Sequence, residues 1–365
     1  MSRAGFTPER YPLSLISAWS SRRWNITQYI LRRAIYSIPL LLLISFVVFA
    51  MISAAPGGPA AAFEENPALT PADIARLEQL MGLDQPWPVR YWRWLTHMAQ
   101  GDWGHSNVTK RPVLTMILER LPATLLLMAV SFVATLIVAI PIGILSALRQ
   151  YSLFDHIATF GAFVGQAIPV FWFGLILIIV FNMLLHNPVS PSRGFAWSHF
   201  VNCVDCKPLL PGGGMSPYDV DNPTILQRMQ HMILPVLTLA LFGAGTYTRY
   251  MRGQMLEVIH LDYIRTARAK GLAEQRIIWR HAIKNAITPV ITIIALQLPL
   301  LFGGALFTET IFSWPGMGRL FYYHAQRVDY PVLMGIVMIN STLIIAFNLL
   351  ADIAYAYLDP RVQYE

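Results

Sequence analysis

Charged residues are scarce in this 365-residue sequence: Asp, Glu, Lys and Arg make up 13% of it, whereas 55% is apolar or aromatic. Soluble domains contain about 25% charged residues. The apolar residues gather in uncharged runs of about twenty residues or more, which suit a bilayer better than a water-soluble core. The composition therefore excludes a soluble enzyme as the first interpretation.

Several chemical motifs are missing as well. The two cysteines are too few for a framework of disulfides. No stretch matches the phosphate-binding loop G-x-x-x-x-G-K-[ST], the zinc motif H-E-x-x-H or the nucleophile motif G-x-S-x-G. These absences argue against nucleotide hydrolysis by this chain and against an intramembrane enzyme, a class that we keep as an alternative.

Uncharged runs long enough to cross a bilayer, which takes about 20 helical residues, are present instead. They predict an all-α membrane protein with six transmembrane helices. The fourth run holds only 17 residues, so its helix is expected either to be short or to begin before His231. The six runs are residues 34–55, 121–148, 157–185, 232–248, 285–308 and 330–351.

The placement of Lys and Arg predicts the orientation of these helices. With the N-terminus inside, the four cytoplasmic stretches carry 16 basic residues and the three outer stretches carry 11, although the outer stretches are longer. Eight of the 16 lie in residues 249–284. Basic residues favour the cytoplasmic side, so both termini are predicted to be cytoplasmic.

These runs divide the chain into segments. We predict a cytoplasmic N-terminal extension, a first transmembrane helix, a structured external segment in which Thr70 caps a helix, a core permease domain and a cytoplasmic tail. Within the core domain we expect an external loop at 186–231 and a basic inner loop at 249–284. The other boundaries are 1–28, 29–55, 56–120, 121–355 and 356–365.

The basic inner loop has the pattern of two short helices. The stretch from Tyr263 to Leu272 consists mostly of good helix formers, and Gly271 within it is suited to a C-cap. A second helical stretch runs from Glu274 to Asn285. A basic amphipathic surface of this kind suits anionic lipid or a docking protein equally well.

Short strings along the chain, from Tyr29 to Tyr364, resemble the permease subunits of ABC importers of the dipeptide, oligopeptide and nickel group. Each string is weak alone, but their order and predicted sidedness are specific. They are YILRR at 29–33, PGGP at 56–59, MGLDQP at 81–86, GDWGHS at 101–106, RLPATL at 120–125, the inner loop at 263–289, ETIFSWPGMGRL at 309–320, DYP at 329–331 and LDPR at 358–361.

The resemblance implies a transport subunit rather than an enzyme. The implied subunit forms half of the translocation pathway of an ATP-driven peptide importer in the inner membrane, with nickel, glutathione or another small solute as alternative substrates. The implied partners are a second, homologous permease in a heterodimer, two ABC ATPases, an external substrate-binding protein and membrane lipid, with no nucleic acid. No cofactor is expected in this chain, because the ATPases bind ATP and Mg²⁺.

The resemblance also makes the first inner helix the coupling helix that docks in a groove of an ATPase. The wider family has Glu-Ala-Ala before the glycine and a proline after it, whereas this chain has Arg265-Thr266-Ala267, and its Pro289 comes five residues late. The coupling residues carried over are Tyr263, Arg265, Thr266, Ala267, Ala269, Lys270, Gly271 and Leu272.

Polar residues inside apolar runs are costly against lipid, so they are candidates for the pathway. They are Gln166, Gln297, Asn340 and Ser341, together with Pro169, which is expected to kink its helix near Gln166. The alternative is that these amides join neighbouring helices. Asp352 lies at the inner membrane edge, where we expect it to pair with an Arg or Lys.

Cys203 and Cys206 lie in the predicted external loop. Their spacing and the nearby His199 resemble part of a zinc site, but no second C-x-x-C follows. On an oxidising outer side a local disulfide is favoured, and no metal site is predicted. A self-sufficient channel or secondary transporter stays as a further alternative, although neither needs the basic inner loop.

Overall fold

The fold is that of a computed structural model, which describes residues 26–54, 70, 72–73, 76, 79, 82, 84–185, 189–190, 194–195, 208–217, 220, 222–297 and 305–358. Nearly all of the described structure is helical. Its helices are α1 Ile26–Ser53, α2 Trp87–Ala99, α3 Val113–Leu148, α4 Leu153–Ala167, α5 Val170–Ile178, α6 Ile225–Ile259, α7 Asp262–Ala269, α8 Glu274–Ile277, α9 Ile283–Gln297, α10 Leu306–Ile311, α11 Met317–Ala325 and α12 Tyr330–Leu358.

Short irregular elements complete the described fold. Two π-helical stretches, Ile179–Leu184 and Ile278–Ala282, continue α5 and α8. A pair of two-residue antiparallel strands, β1 Val189–Ser190 and β2 Gly194–Phe195, lies in the predicted external loop. The all-helical prediction is therefore confirmed in its main feature.

Four described helices are long and apolar enough to cross a membrane, and the count is five if α4 and the α5 segment together form one span. The four lie in α1, α3, α6 and α12. The first begins at Ile26, three residues before the predicted start. The six predicted spans are thus matched only in part.

The third predicted span is broken. Its two halves, Leu153–Ala167 and Val170–Leu184, meet at an angle of 102°. Pro169 is the cause, because its ring disfavours helical geometry at the preceding residue, and Ile168 is extended with φ −80° and ψ 127°. The predicted kink is therefore present, but as an elbow rather than a bend within one straight helix.

The fourth predicted span extends beyond its uncharged run at both ends. Helix α6 begins at Ile225, and Thr224 and Gln227 form a capping box. His231 lies buried inside the helix and its Nδ1 lies 2.9 Å from the Gly213 carbonyl oxygen. Of the two expectations, the start before His231 is confirmed, and the 35-residue helix also carries the first two arginines of the predicted inner loop, Arg249 and Arg252.

Helix α3 begins at Val113, eight residues before the predicted run. Val113 and Ile117 are fully buried, together with Met317 and Val332, in an apolar cluster at the α11 end of the bundle. Burial of this first turn explains why the helix starts early. The last turns of the predicted external segment therefore belong to the core.

The fifth predicted span is only partly described. Helix α9 contains 15 residues, residues 298–304 lie outside the described part of the chain, and α10 follows. Helices α3 and α6 form the centre of the described bundle. Side-chain hydroxyls link them: Thr135 donates to the Ala240 carbonyl oxygen and Thr248 to that of Ala139, each at 3.4 Å.

Aromatic residues attach α2 to the last turns of α1. Tyr91 packs edge-on against Phe46 and Phe49, with ring centroids 5.7 and 5.5 Å apart, and its hydroxyl lies 2.8 Å from that of Ser45. Thr70 also caps a turn as predicted, since its Oγ1 accepts from the Asp73 amide at 3.3 Å. The external segment is structured where it is described.

Candidate functional site

The candidate coupling surface is α7 with the turn that follows it, residues 262–272. A two-residue turn, His260 and Leu261, joins α7 to the end of α6, and the Leu261 amide donates to the Val258 carbonyl oxygen at 3.1 Å. The helix begins one residue before the predicted Tyr263 and ends at Ala269. Because the turn is so short, the position of α7 depends directly on that of α6.

One face of α7 is buried in the bundle. Ile264 is fully buried and Ala267 is 8% exposed, in a cluster with Met251 and Met255 of α6 and Ala286 of α9. Burying an isoleucine contributes roughly 2 kcal/mol. The coupling surface is therefore fixed to two long helices rather than carried on a free loop.

The opposite face of α7 is exposed and mainly basic. Arg265 projects with its side chain 70% exposed and lies 3.7 Å from Asp262, which is 96% exposed. Tyr263 is half-exposed and its hydroxyl accepts from the Asn285 Nδ2 at 3.0 Å. The exposed residues of the prediction are Tyr263, Arg265, Thr266, Ala269, Lys270 and Gly271, whereas Ala267 is buried and Leu272 half-buried.

Gly271 ends the helix in the left-handed region, with φ +75°. Its amide donates to the Arg268 carbonyl oxygen at 2.9 Å, and the Leu272 amide donates to that of Ala267 at 3.4 Å. Nothing lies within 4 Å of a Cβ built at this position. The glycine is thus required by its backbone conformation and not by lack of space, as the sequence pattern indicated.

An ion pair closes the turn between α7 and α8. Arg268 donates to both carboxylate oxygens of Glu274, at 2.6 and 3.2 Å. The hydrogen bonds from Arg268 lower the pKa of Glu274. The second predicted inner helix is not uniform, since α8, the π-helical stretch and α9 follow one another and Pro289 lies within α9. Trp279, which the sequence reasoning missed, is 73% exposed on the π-helical stretch.

The candidate pathway residues do not converge on one cavity. A cavity of about 500 Å³ between α3, α6 and α10 is lined by Gln297 with Ser131, Thr135 and Tyr247, among others. Its lining does not include Gln166, Pro169 or Asn340. Asn340 lies on α12, and its Oδ1 is buried with no partner in the described part of the chain.

Gln166 joins two helices. Its Nε2 donates to the Thr246 Oγ1 at 2.5 Å, and its Oε1 accepts from Arg249 at 2.5 Å. This is the alternative that we kept open for these amides. The expected partner of Asp352 is also present, because Arg33 of α1 forms an ion pair with it.

The sequence reasoning missed a buried ion pair between α4 and α6. Asp155, whose side chain is 3% exposed, accepts from the Nε and Nη2 of Arg252 at 2.7 and 2.8 Å. It also accepts from the Ser146 hydroxyl and the Tyr151 amide. The pair fixes the turn between α3 and α4 to the last part of α6, next to the coupling surface.

Two more buried carboxylates lie near the opposite end of the bundle. Glu309 accepts from the Thr124 hydroxyl at 2.8 Å and from the Gly318 amide at 2.6 Å, and burial raises its pKa. Asp329 accepts from Ser106 at 2.5 Å and contacts the His324 Nδ1 at 2.8 Å. Burial alone would raise the pKa of Asp329, but these hydrogen bonds outweigh it and the pKa is lowered.

Both carboxylates are the acidic residues of strings that carried the family resemblance, which was the one signal available for them. Each also accepts from a hydroxyl in a distant part of the chain, Thr124 or Ser106, which spacing alone could not identify. Cys203 and Cys206 lie outside the described residues. No cluster of three or more possible metal ligands occurs within the described ranges.

Two family models match the chain. Residues 139–364 match the model described as binding-protein-dependent transport system inner membrane component. Residues 26–128 match the N-terminal model of the membrane component of such systems. Together the two models cover almost all of the described bundle.

Three characterised relatives are similar over nearly their whole length. The oligopeptide transport system permease protein AppB of Bacillus subtilis is 43% identical over 92% of this chain and 99% of the relative. The dipeptide permease DppB of Escherichia coli is 37% identical over 93% of this chain and 99% of the relative. The di/tripeptide permease DppB of Pseudomonas aeruginosa is 34% identical over 92% of this chain and 99% of the relative.

Proposed function

The chain belongs to the family of inner-membrane components of binding-protein-dependent transport systems, and on this basis we propose that it is one permease subunit of an ATP-driven peptide importer. As a member of this family it is a multi-pass transport subunit and not an enzyme. The peptide substrate is supported by the names of relatives that match along their entire length.

The observation that carries the proposal is the coupling surface itself. A short basic helix projects from the end of α6, its inner face is buried and its outer face has no described partner for Thr266 or Lys270 beyond its own helix. A helix that only bound lipid would gain nothing from such rigid attachment to α6 and α9. A helix that transmits force requires it.

Transmission then follows from the packing. Movement of an ATPase groove displaces α7, and the two-residue turn and the buried Ile264 carry the displacement into α6. The Asp155–Arg252 pair extends it to the first turn of α4, and the far end of α4 forms the elbow at Pro169. Rocking of rigid helices about such contacts exposes a pathway to one side of the membrane at a time.

The assembly that we propose contains this chain, a second and homologous permease, two ABC ATPases and an external substrate-binding protein. Dependence on a binding protein is a property of the family, whereas the heterodimer and the two ATPases are part of the proposal. ATP and Mg²⁺ would be bound by the ATPases, and no cofactor by this chain.

We also propose six spans with both termini in the cytoplasm. The density of basic residues in 249–284 supports this orientation. The four long helices and the bent pair would supply five of these spans. The remaining one, the fifth in chain order, would be formed by α9 and the residues that follow it.

Reconstitution tests the proposal. The permease pair, the ATPases and the binding protein are placed in liposomes, and uptake of a labelled peptide is measured with and without ATP. We expect uptake that requires both ATP and binding protein. Uptake by this chain without ATPases would contradict the proposal and favour a self-sufficient channel.

A matched pair of variants locates the coupling surface. Arg265→Glu reverses the charge on the exposed face of α7, and Arg149→Glu makes the same change at the exposed turn after α3. We expect the first variant to lose ATP-driven uptake and co-purification of the ATPases, and the second to retain both. Equal losses in the two variants would show that α7 is not the docking surface.

A further inference from the structure

Arg249 is a cation held inside the bundle with too few partners. It lies on α6, and its Nη2 donates to the Gln166 Oε1 of α4 at 2.5 Å. Its Nε is buried without an acceptor in the described part of the chain. Among the described residues, no carboxylate lies within ion-pair distance of it.

Arg252, one turn away, provides the comparison. Its Nε and Nη2 both donate to the carboxylate of Asp155, at 2.7 and 2.8 Å. That is how a structural arginine is satisfied in this bundle. Arg249 has only a neutral amide as its acceptor, so the paired N–H donors of its guanidinium lack the carboxylate that their geometry fits.

The two helices that hold Arg249 run antiparallel. Asp155, near the start of α4, pairs with Arg252, whereas Gln166, near the end of α4, pairs with Thr246, which lies earlier on α6. Side chains on a helix tilt toward its N-terminus. The N-terminus of α6 is the end remote from α7, so Arg249 tilts toward the middle of the bundle and away from the coupling surface.

The guanidinium lies at the level of Phe163. Its Cζ is 4.9 Å from the centroid of that ring. Phe163 is eight residues beyond Asp155, which corresponds to about 12 Å along α4. A cation at this depth is costly, and ionisable groups kept inside membrane bundles mark pathways for polar or charged ligands.

Gln166 holds the guanidinium in one orientation. Because its Nε2 is committed to Thr246, only Oε1 is available to Arg249, and the amide cannot flip without loss of a hydrogen bond. The arginine is therefore fixed in advance of any ligand. Fixing a donor in this way reduces the entropy lost on binding.

An apolar hollow lies at the end of α4 that also carries Gln166. It has a volume of about 410 Å³ and follows the elbow between α4 and α5. Phe163, which is 55% exposed, precedes the first lining residue, Val164, in the sequence. The hollow is lined by Val164, Ala167, Ile168, Pro169, Phe171 and Trp172. A guanidinium and an apolar hollow at the same end of α4 suit a ligand with a carboxylate at one end and an apolar side chain.

We propose that Arg249, oriented by Gln166, binds the C-terminal carboxylate of a peptide in transit, while the elbow hollow accommodates the adjoining side chain. This inference rests on the proposed function for the identity of the substrate. All unmodified peptides carry this carboxylate, so the site recognises the class and not a particular sequence. The bidentate geometry of guanidinium and carboxylate supplies the specificity.

The test compares two substrates in the complete, reconstituted transporter. One is a labelled tripeptide with a free C-terminus, and the other is the same tripeptide with a C-terminal amide. The rate ratio of free acid to amide is measured for the parent protein, R249Q, R249K and R228Q. Arg228 is an exposed arginine at the other end of α6 and provides the matched control. The same binding protein is used throughout, so its own preference cancels when ratios are compared.

We expect R249Q to lower the ratio by about 10- to 100-fold, the range of one charged hydrogen bond. R249K should give an intermediate ratio, because lysine keeps the positive charge but cannot form the bidentate hydrogen bonds of a guanidinium. R228Q should leave the ratio unchanged. The amide should be imported by R249Q at nearly the parental rate, since it has no charge to lose.

Other results would overturn the assignment. If R249Q slows both substrates equally, Arg249 has a structural role. If R249Q fails to assemble with the second permease and R249K keeps the parental ratio, its counter-ion belongs to that partner. If the parent complex imports neither tripeptide, the proposed function fails rather than the site alone.

Discussion

Breaking the buried pair Asp155–Arg252 should cost far more stability than breaking an exposed pair of similar geometry. The Asp155 carboxylate receives five hydrogen bonds, two of them from Arg252. Arg252→Gln leaves a buried carboxylate without its counter-ion, which costs about 3 kcal/mol of unfolding free energy. The pair Arg268–Glu274 is 44% and 54% exposed, so the same kind of change there should cost under about 1 kcal/mol.

A double-mutant cycle separates the pair from its surroundings. In Asp155→Asn with Arg252→Gln, two neutral amides can bond to each other, so the double variant should recover about 2 kcal/mol relative to the sum of the single variants. The assay is unfolding of the purified protein in mixed micelles, followed by tryptophan fluorescence. Additive effects at this pair, or a larger coupling at Arg268–Glu274, would refute the idea that it locks α4 to α6.

Three further outcomes follow from local geometry, all measured by the same unfolding assay. Gly271→Ala should cost about 1 kcal/mol because of its φ of +75°, and equal stability would mean that the turn relaxes. Gly245→Ala should cost about 1 to 3 kcal/mol, because its Cβ would lie 2.5 Å from the Ala162 carbonyl oxygen, whereas Gly253→Ala, with open space, should not destabilise the protein. The pKa of Asp329 is lowered on folding, so its carboxylate stabilises the protein above the unfolded pKa of about 4, and this stabilisation is lost as the pH falls through the folded pKa. Asp329→Asn should therefore make the free energy of unfolding depend less on pH in the acid range, and an unchanged dependence would exclude this role of Asp329.

The sequence predicted the long helices because the length and hydropathy of an apolar run can be read from its residues without knowledge of the fold. The sequence also predicted a helix at the position of α7 and its end, since Gly271 and the helix formers before it act locally. The elbow at Pro169 was expected only as a kink. Its angle of 102° depends on packing of the two halves against other helices, about which the run itself carries no information.

The buried charges were the main omission. Arg249 directly follows the uncharged run 232–248, so the sequence places Arg249 and Arg252 in the inner loop, although both lie within α6. Glu309 and Asp329 were treated in the same way, as ends of runs. Their partners Thr124 and Ser106 lie 185 and 223 residues away in the sequence, so only the folded chain brings these groups together.

Photo-cross-linking tests the central claim most directly, namely that α7 docks on the ATPase at the cytoplasmic face. A photoreactive side chain is placed at Thr266 on the exposed face of α7, and for comparison at Leu226 on the exposed far end of α6. In the complete transporter, position 266 should form an adduct with the ATPase subunit and position 226 should not. An adduct with the ATPase from position 226, or only lipid adducts from position 266, would contradict the account.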